Sequence, residues 1–164
     1  MGFLDLFKTK PEAAKTENRM PQNDAKIQKH KIAGVAHYES NLLKLAKKNP
    51  AYSFTKKEII AKKLCCEYLY EYTFAPQKTA LIPDPANPHD PNAIKVVIDG
   101  QHVGYIKAGS CARILKLINE GRIAGVESTI SGGKFQNLWS DGKEIQQHEK
   151  GCKKYEIEIS IFEK

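Results

Sequence analysis

The chain has 164 residues, with 26 Lys and Arg against 19 Asp and Glu, a net charge of +7 and a pI near 9.1. This length suits one domain that buries a core without disulfides, and the basic excess favours an anionic partner such as nucleic acid or anionic lipid. No apolar run approaches the roughly 18 residues of a membrane span, and the four cysteines lack the spacing of a disulfide framework or a zinc site, so we expect a soluble, reduced, cytoplasmic protein.

The N-terminal part of the chain is predicted to lie outside the folded domain. Residues 8–29 are polar, rich in Lys, Glu, Asn and Gln, and lack apolar periodicity, which is the composition of a linker. We therefore predict a flexible segment over residues 1–29 and a single domain over residues 30–164. The apolar segment Phe3–Phe7 is interpreted as a frayed terminus, with a turn that contacts a membrane or a partner as the alternative.

The domain is predicted to begin with a strand over residues 31–38 and two helices. Ser40 is a candidate N-cap for the first helix, and Thr55 with Glu58 has the spacing of a capping box at the start of the second. This helical insertion, about residues 40–64, is rich in lysine. We interpret the lysines as a solvated face, with phosphate contacts as the alternative. They are Lys44, Lys47, Lys48, Lys56, Lys57, Lys62 and Lys63.

Strand patterns dominate the centre of the chain. Aromatic residues alternate at positions 68, 70, 72 and 74, which predicts a strand, and residues 79–82 predict another. Asp99-Gly100 separates two β-branched runs and is typical of a two-residue hairpin turn. In the first of these runs, Ile94, Val96 and Ile98 alternate onto one face, which we expect to line the core.

The C-terminal part predicts one helix and two strands. Ser110 is the expected N-cap of a helix that ends at Gly121, and residues 122–131 and 155–162 are the expected strands, separated by turns at Gly132-Gly133 and Asp141-Gly142. The core-facing helix positions are Cys111, Ile114, Leu115 and Ile118. About six or seven strands with two or three helices predict a mainly β fold with helices (α+β), a compact OB-like, modified β-barrel.

A proline-rich polar loop precedes the central hairpin. Prolines at positions 83, 85, 88 and 91 fix φ four times within nine residues, so the loop is stiff without being helix or strand. Asp84, Asn87, Asp90 and Asn92 have short polar side chains that stabilise turns. Taken alone, the loop is interpreted as a well-capped turn, and the wall of a binding pocket is the alternative.

Catalytic and cofactor motifs are absent from the sequence. It contains no P-loop, no H-E-x-x-H, no G-x-S-x-G and no glycine-rich dinucleotide motif, and its five histidines are scattered. We therefore predict that the protein is not an enzyme and that it holds no metal and no cofactor.

Three segments, taken together and in order, resemble the HIRAN domain. They are Gly34–Tyr38, Leu81–Val96 and Val103–Lys107, followed by the helix at Ser110, so the resemblance covers roughly residues 30–120. It implies a modified OB-type barrel that binds single-stranded DNA and recognises its 3′-hydroxyl end. In such a site aromatic rings stack on the terminal bases, and a carboxylate accepts a hydrogen bond from the 3′-hydroxyl.

The site residues are carried over from the motif positions. Asp90 matches the carboxylate, and the remaining nucleic-acid-binding residues that the resemblance implies are His37, Tyr38, His89, Asn92, Tyr105 and Lys107. Ala36 and Ala108 stand where the DNA-binding member has an arginine and a lysine. Phosphate contacts by the seven lysines of the insertion are one way to replace these two cations; without them, the alternative is a domain that keeps the family fold and binds something else.

We therefore predict a non-enzymatic module that binds single-stranded DNA, with recognition of the 3′-hydroxyl end as the finer hypothesis. The alternative is a module that keeps the fold but binds a protein partner, or an accessory subunit of a DNA-processing complex. The sequence leaves the oligomeric state and the choice between DNA and RNA open.

Overall fold

The computed structural model describes residues 26–141 and 143–164. Most of the predicted flexible segment, including Phe3–Phe7, lies outside the described residues. The first strand starts at Ile27, three residues before the predicted domain boundary. The earlier start has a physical reason, because Gln28 is buried and donates a hydrogen bond to Glu163 of the last strand.

Strands make up nearly half of the described residues. The strands are β1 Ile27–Ala33, β2 Lys47–Lys48, β3 Leu69–Tyr70, β4 Tyr72–Thr73, β5 Thr79–Pro83, β6 Ile94–Ile98, β7 Gln101–Ile106, β8 Ile123–Ser140 and β9 Ile145–Glu163. The helices are α1 Glu39–Leu43, α2 Lys56–Ala61 and α3 Ala108–Asn119, and two 3₁₀ helices span Val35–Tyr38 and Pro50–Ser53.

Seven strands form one antiparallel sheet in the order β3-β8-β9-β1-β7-β6-β5, while β2 pairs with β4 separately. The predicted mainly β fold with helices is confirmed. The sheet is not closed, since β3 and β5 are its two edges. The sheet curls nonetheless. Its strands β5 and β8 share no backbone ladder, yet Thr79 Oγ1 of β5 lies 2.8 Å from Ser128 Oγ of β8.

The core lies between the curled sheet and α3. The predicted core face of β6 is confirmed, because Ile94, Val96 and Ile98 are fully buried and pack with isoleucines of β9. Each such side chain contributes about 1.5–3 kcal/mol when it leaves water. On α3, Cys111 and Ile114 are buried as predicted, and Leu117 is buried as well. The predicted core positions Leu115 and Ile118 are half-buried.

Two predicted helix starts are wrong, as is the end of the first strand. β1 ends at Ala33 because Gly34 has a φ of +75° and turns the chain into a 3₁₀ helix, so Ser40 lies within α1 and is not its cap. α3 begins at Ala108 after Lys107, and Ser110 lies in its first turn. Gly121, with a φ of +63°, follows the helix end as predicted.

Two local predictions are confirmed. Thr55 and Glu58 form a reciprocal capping box at α2. Asp99 and Gly100, with φ values of +46° and +82°, connect β6 and β7 as a tight hairpin.

The lysine-rich insertion is helical only in part. α1 and α2 are five and six residues long, and Lys47 and Lys48 lie on a strand between them. The described lysines of this segment are all exposed and share no common helix face.

Gly132 and Gly133 do not form the predicted turn. They lie inside the 18-residue strand β8, where the register against β9 shifts between Ser131 and Gly133. A Cβ atom on Gly132 would lie 2.4 Å from the Lys154 carbonyl oxygen, so only glycine fits this bulge.

Candidate functional site

Strand pairing brings the three motif segments together at the margin of the sheet where β1, β5 and β7 end and β6 begins. We call this margin the motif edge. Ala33 of β1 and Lys95 of β6 both pair with Tyr105 of β7, and Pro83 of β5 pairs with Ile94. The 3₁₀ helix after β1, the proline-rich loop before β6 and the end of β7 are therefore neighbours. The order of the motif segments in the sequence becomes proximity in space.

Tyr105 is the centre of a cluster of rings and charges on the outer face of β7. Its ring centroid lies 4.8 Å from that of His102 and 6.1 Å from that of Tyr38, and the rings of Tyr38 and His102 are 4.1 Å apart. The Tyr105 hydroxyl donates to Asp84 Oδ2 at 3.2 Å, and Lys95 Nζ lies 3.2 Å from the same oxygen. We call these five residues the Tyr105 cluster.

The pKa values in the Tyr105 cluster follow from burial and hydrogen bonds. Burial opposes ionisation of Asp84, but the hydrogen bonds from Lys95 and Tyr105 outweigh it and lower the pKa of this carboxyl. Burial and the bonds with Tyr38 and Asp84 raise the pKa of Tyr105 to about 12. Burial lowers the pKa of His102, although a hydrogen bond to the Gly104 carbonyl opposes this effect. At neutral pH Asp84 is therefore a carboxylate, Tyr105 a neutral phenol and His102 a neutral imidazole.

Because the pKa of His102 is lowered in the folded protein, we expect the stability of the fold to depend on pH. Below its usual pKa of 6.5 the unfolded chain takes up a proton that folded His102 resists, so the free energy of unfolding falls as the pH drops from 6.5 towards the folded pKa. We expect the Tm to decrease over this interval. Burial lowers the pKa of His30 and His148 in the same direction, whereas the contribution of Asp84 is lost only at lower pH, below 3.8.

The measurement is thermal unfolding by circular dichroism across that pH range. His102→Gln should flatten part of the decline, because the titrating group is gone while an amide remains in place. An unchanged pH profile in this variant would contradict the prediction.

The proline-rich loop is closed by its own backbone and short side chains. The Asp84 N–H donates to the Ala93 carbonyl at 2.8 Å, which joins the two ends of the loop. Asn87 Oδ1 accepts from the backbone of His89 and Asp90, at 2.9 and 3.2 Å. The interpretation as a well-capped turn is therefore correct for the backbone, and it leaves the outward side chains for binding.

Asp90 lies in this loop beside the start of α3. Its Oδ1 atom accepts the Asn92 N–H at 2.8 Å, which orients the carboxylate. Burial raises the pKa of the Cys111 thiol, and the negative charge of Asp90 raises it further, so the two groups are close. Within residues 26–141 and 143–164, Asp90 Oδ2 accepts no hydrogen bond. His89 and Asn92 are exposed on the same loop.

A cleft of about 580 Å³ opens next to the motif edge, between the end of β1 and the middle of β9. His37 and Lys107, both predicted site residues, line it, and Ala36 lies on its wall. The charges around it are four lysines against two glutamates, Glu39 and Glu156. The lysines are Lys31, Lys107, Lys153 and Lys154. We call this the basic cleft.

The predicted site residues fall into three neighbouring groups. Tyr38 and Tyr105 belong to the Tyr105 cluster, His37 and Lys107 to the basic cleft, and Asp90 to the loop with its two exposed neighbours. None of the seven lysines between positions 44 and 63 lines the basic cleft. Ala36 shares this cleft with Lys31, Lys153 and Lys154, and phosphate contacts by the seven lysines stay a prediction.

Several residues of the site were not predicted. His102 and Lys95 were missed. Lys95 pairs directly with Tyr105 across β6 and β7. His102 stands three residues before Tyr105, which in a regular strand would put the two side chains on opposite faces, and the register shift between β6 and β7 brings their rings together. Lys153 and Lys154 were missed because they follow Asp90 by more than 60 residues. Only the pairing of β9 with β1 brings them to the cleft that Ala36 also lines.

Comparison with known proteins identifies the central part of the chain. Residues 65–136 match the model of the HIRAN domain family. The resemblance to the HIRAN domain is confirmed. The HIRAN match contains the proline-rich loop, Tyr105 and Lys107, whereas His37 and Tyr38 precede it. The HIRAN match supports the coarser prediction of a domain from a nucleic-acid-binding family.

Other comparisons add less. The crystal structure of the HIRAN domain of human HLTF is similar with 14% sequence identity and a TM-score of 0.38, over 84% of this chain and 76% of that chain. At these values the likeness adds no argument to the HIRAN match. The comparison with curated proteins finds no match.

Two further observations concern membranes and metals. Across residues 26–141 and 143–164, no helix is long and apolar enough to cross a membrane. The same residues contain no cluster of three or more His, Cys, Asp or Glu side chains suited to a metal ion.

Proposed function

We propose that the protein is a non-enzymatic module that binds single-stranded DNA, with the strand in the basic cleft and its 3′ end at the proline-rich loop. The observation that supports this most is the convergence of the matched loop, the Tyr105 cluster and the basic cleft at the motif edge. This edge offers exposed rings for bases and cations for phosphates, the two components that bind single strands without sequence preference.

The basic cleft would hold the phosphates. Lys31 is already paired with Glu156 at 3.1 Å, so it is partly neutralised. Lys107 and Lys154 make no ion pair in the described part of the chain, and both are exposed. These two lysines are the strongest candidates for phosphate contacts, which strengthen at low salt because binding releases counterions.

The proline-rich loop would recognise the 3′ end. Asp90 is held by the Asn92 N–H and has Oδ2 available to accept a hydrogen bond from a 3′-hydroxyl. A terminal phosphate would be repelled by the carboxylate. Among the other predicted residues, His37 and His89 are exposed and free to stack on bases, while Tyr38 and Tyr105 support the edge from the Tyr105 cluster.

Oligonucleotides of identical sequence that end in a 3′-hydroxyl or a 3′-phosphate test this proposal. We expect the 3′-phosphate to weaken binding about tenfold, since a charge-assisted hydrogen bond contributes about 1.5–3 kcal/mol. Asp90→Asn should reduce this preference, because the neutral amide no longer repels phosphate. The measurement is fluorescence anisotropy at low salt.

Asp84→Asn is the matched control, as it removes a carboxylate of the same region that bonds Lys95 and Tyr105 instead. It should leave the preference for a 3′-hydroxyl intact. Equal binding of both oligonucleotides by the parent protein would overturn end recognition alone. No binding of either at low salt would overturn the whole proposal and favour the protein-interaction module.

A further inference from the structure

We propose a second binding site, an aromatic groove on β3 and β4 that stacks the bases of a single strand after it leaves the basic cleft. The alternating aromatic residues that predicted a strand all line one groove of about 220 Å³, although Phe74 also packs against the core. They are Tyr68, Tyr70, Tyr72 and Phe74. This proposal rests on the proposed function and extends its path.

The rings at one end of the aromatic groove are held in place by packing. Tyr68 and Tyr70 lie nearly parallel, with centroids 6.1 Å apart and an interplanar angle of 22°. The buried ring of Phe135 meets both edge-on, at 5.0 and 6.1 Å. Two supported and only partly buried rings lose little conformational entropy on binding, which favours stacking of further planar groups.

The glycine bulge of β8 lies beside the groove. Ser131 and Gly132 line it together with the aromatic side chains. Gly132 adds no side chain to this lining, and a Cβ atom on it would lie 2.4 Å from the Lys154 carbonyl oxygen, so the bulge brings the backbones of β8 and β9 close together next to the rings.

Cations border the aromatic groove. Lys153 Nζ lies 3.4 Å from the centroid of the Tyr68 ring. Lys48 pairs directly with Tyr72 across the β2–β4 ladder, which puts both side chains on the same face. Rings interleaved with ammonium groups suit an anionic polymer with planar bases, and they fit an acidic or purely apolar partner less well.

The groove is continuous with the basic cleft. A depression of about 410 Å³ between them is lined by Tyr70 and Gly132 and by Lys153, Lys154 and Glu156. The same Lys153 and Lys154 line the basic cleft. A strand that contacts these lysines with its phosphates is thereby directed to the aromatic groove, so we commit to single-stranded nucleic acid as the occupant.

Oligonucleotide length separates the second site from the first. With oligonucleotides of about 4 and about 16 nucleotides, Tyr70→Ala and Tyr72→Ala should each weaken binding of the long one about tenfold and leave the short one unchanged. Tyr70→Phe and Tyr72→Phe should retain the affinity, because phenylalanine still stacks. Trp139→Ala is the control, an exposed aromatic on β8 that lies outside the groove.

The other possible results overturn either the second site alone or both proposals. If both oligonucleotides bind the parent protein and the alanine variants bind the long one equally well, the aromatic groove is not a binding site, and the proposed function stands. If neither binds, both proposals fail. If the alanine variants lose affinity for both lengths and also have a lower Tm, their loss of affinity reflects a loss of structure. Photo-cross-linking with the parent protein then decides the question. An iodouracil-containing long oligonucleotide should label residues 68–73, and the absence of that label overturns the proposal.

Discussion

Reversing Lys107 and Lys154 to glutamate together is expected to lower the affinity for single-stranded DNA about 100-fold at low salt, because two phosphate contacts become repulsive. The salt dependence should change with it. Each lost phosphate contact reduces the slope of log K against log salt by about 0.7 for a single strand, so the double variant should lose about 1.4. Anisotropy titrations over a series of salt concentrations measure both quantities.

A control with the same change in net charge is available on α2. Lys56→Glu with Lys57→Glu also takes the net charge from +7 to +3, since each reversal subtracts two. Both residues lie in the first turn of the helix, where acidic residues are favourable, so the variant should fold. Its affinity should decrease only slightly. An equal loss in both double variants would contradict the assignment of the basic cleft and restore the lysine-rich insertion as the contact surface.

Gly104→Ala is expected to destabilise the fold by roughly 3 kcal/mol, which corresponds to a Tm decrease of roughly 6–12 °C for a domain of this size. Gly104 has a φ of +152°, and a Cβ atom there would lie 2.6 Å from both the Ala33 carbonyl oxygen and Ile32 Cγ2. The clash falls where β1 pairs with β7, so the 3₁₀ helix that carries His37 and Tyr38 should lose its position as well. Thermal and urea unfolding measure the loss.

Gly109→Ala is the matched control for this effect. Gly109 is the second residue of α3, and a Cβ atom added to it meets nothing within 4 Å. We expect the same Tm as the parent or a slight increase, because alanine is the better helix former. A small effect at Gly104, comparable to that at Gly109, would show that the β1–β7 contact relaxes easily.

Local structure was predictable where the interacting residues are close together in the sequence. The capping box of Thr55 and Glu58 and the Asp99-Gly100 hairpin need only neighbours in the sequence, and both are confirmed. The predicted helix starts at Ser40 and Ser110 were wrong because they depend on residues outside the helix. A serine can cap a helix, but the actual start depends on where the preceding strand leaves the sheet.

The sequence motif of the candidate site was predictable, whereas the residues that lie around it in space were not. The loop around Asp90 and the segment Val103–Lys107 carried enough sequence information to indicate the HIRAN domain. The lysines near Ala36 were sought in the nearest basic segment of the chain, between residues 44 and 64. Proximity along the chain was a poor guide, because β9 returns beside β1 after more than 100 residues.

The sequence by itself determined which face of each strand is apolar, where the tight turns and the stiff loop lie, and which family motif the chain contains, because these features follow from the periodicity and conformational limits of neighbouring residues. Only the tertiary structure decided that Lys153 and Lys154 border the basic cleft and that Tyr70 and Tyr72 line an adjoining groove. Strand register and the glycine bulge of β8 set those distances, and both depend on pairing between residues that are remote in the sequence.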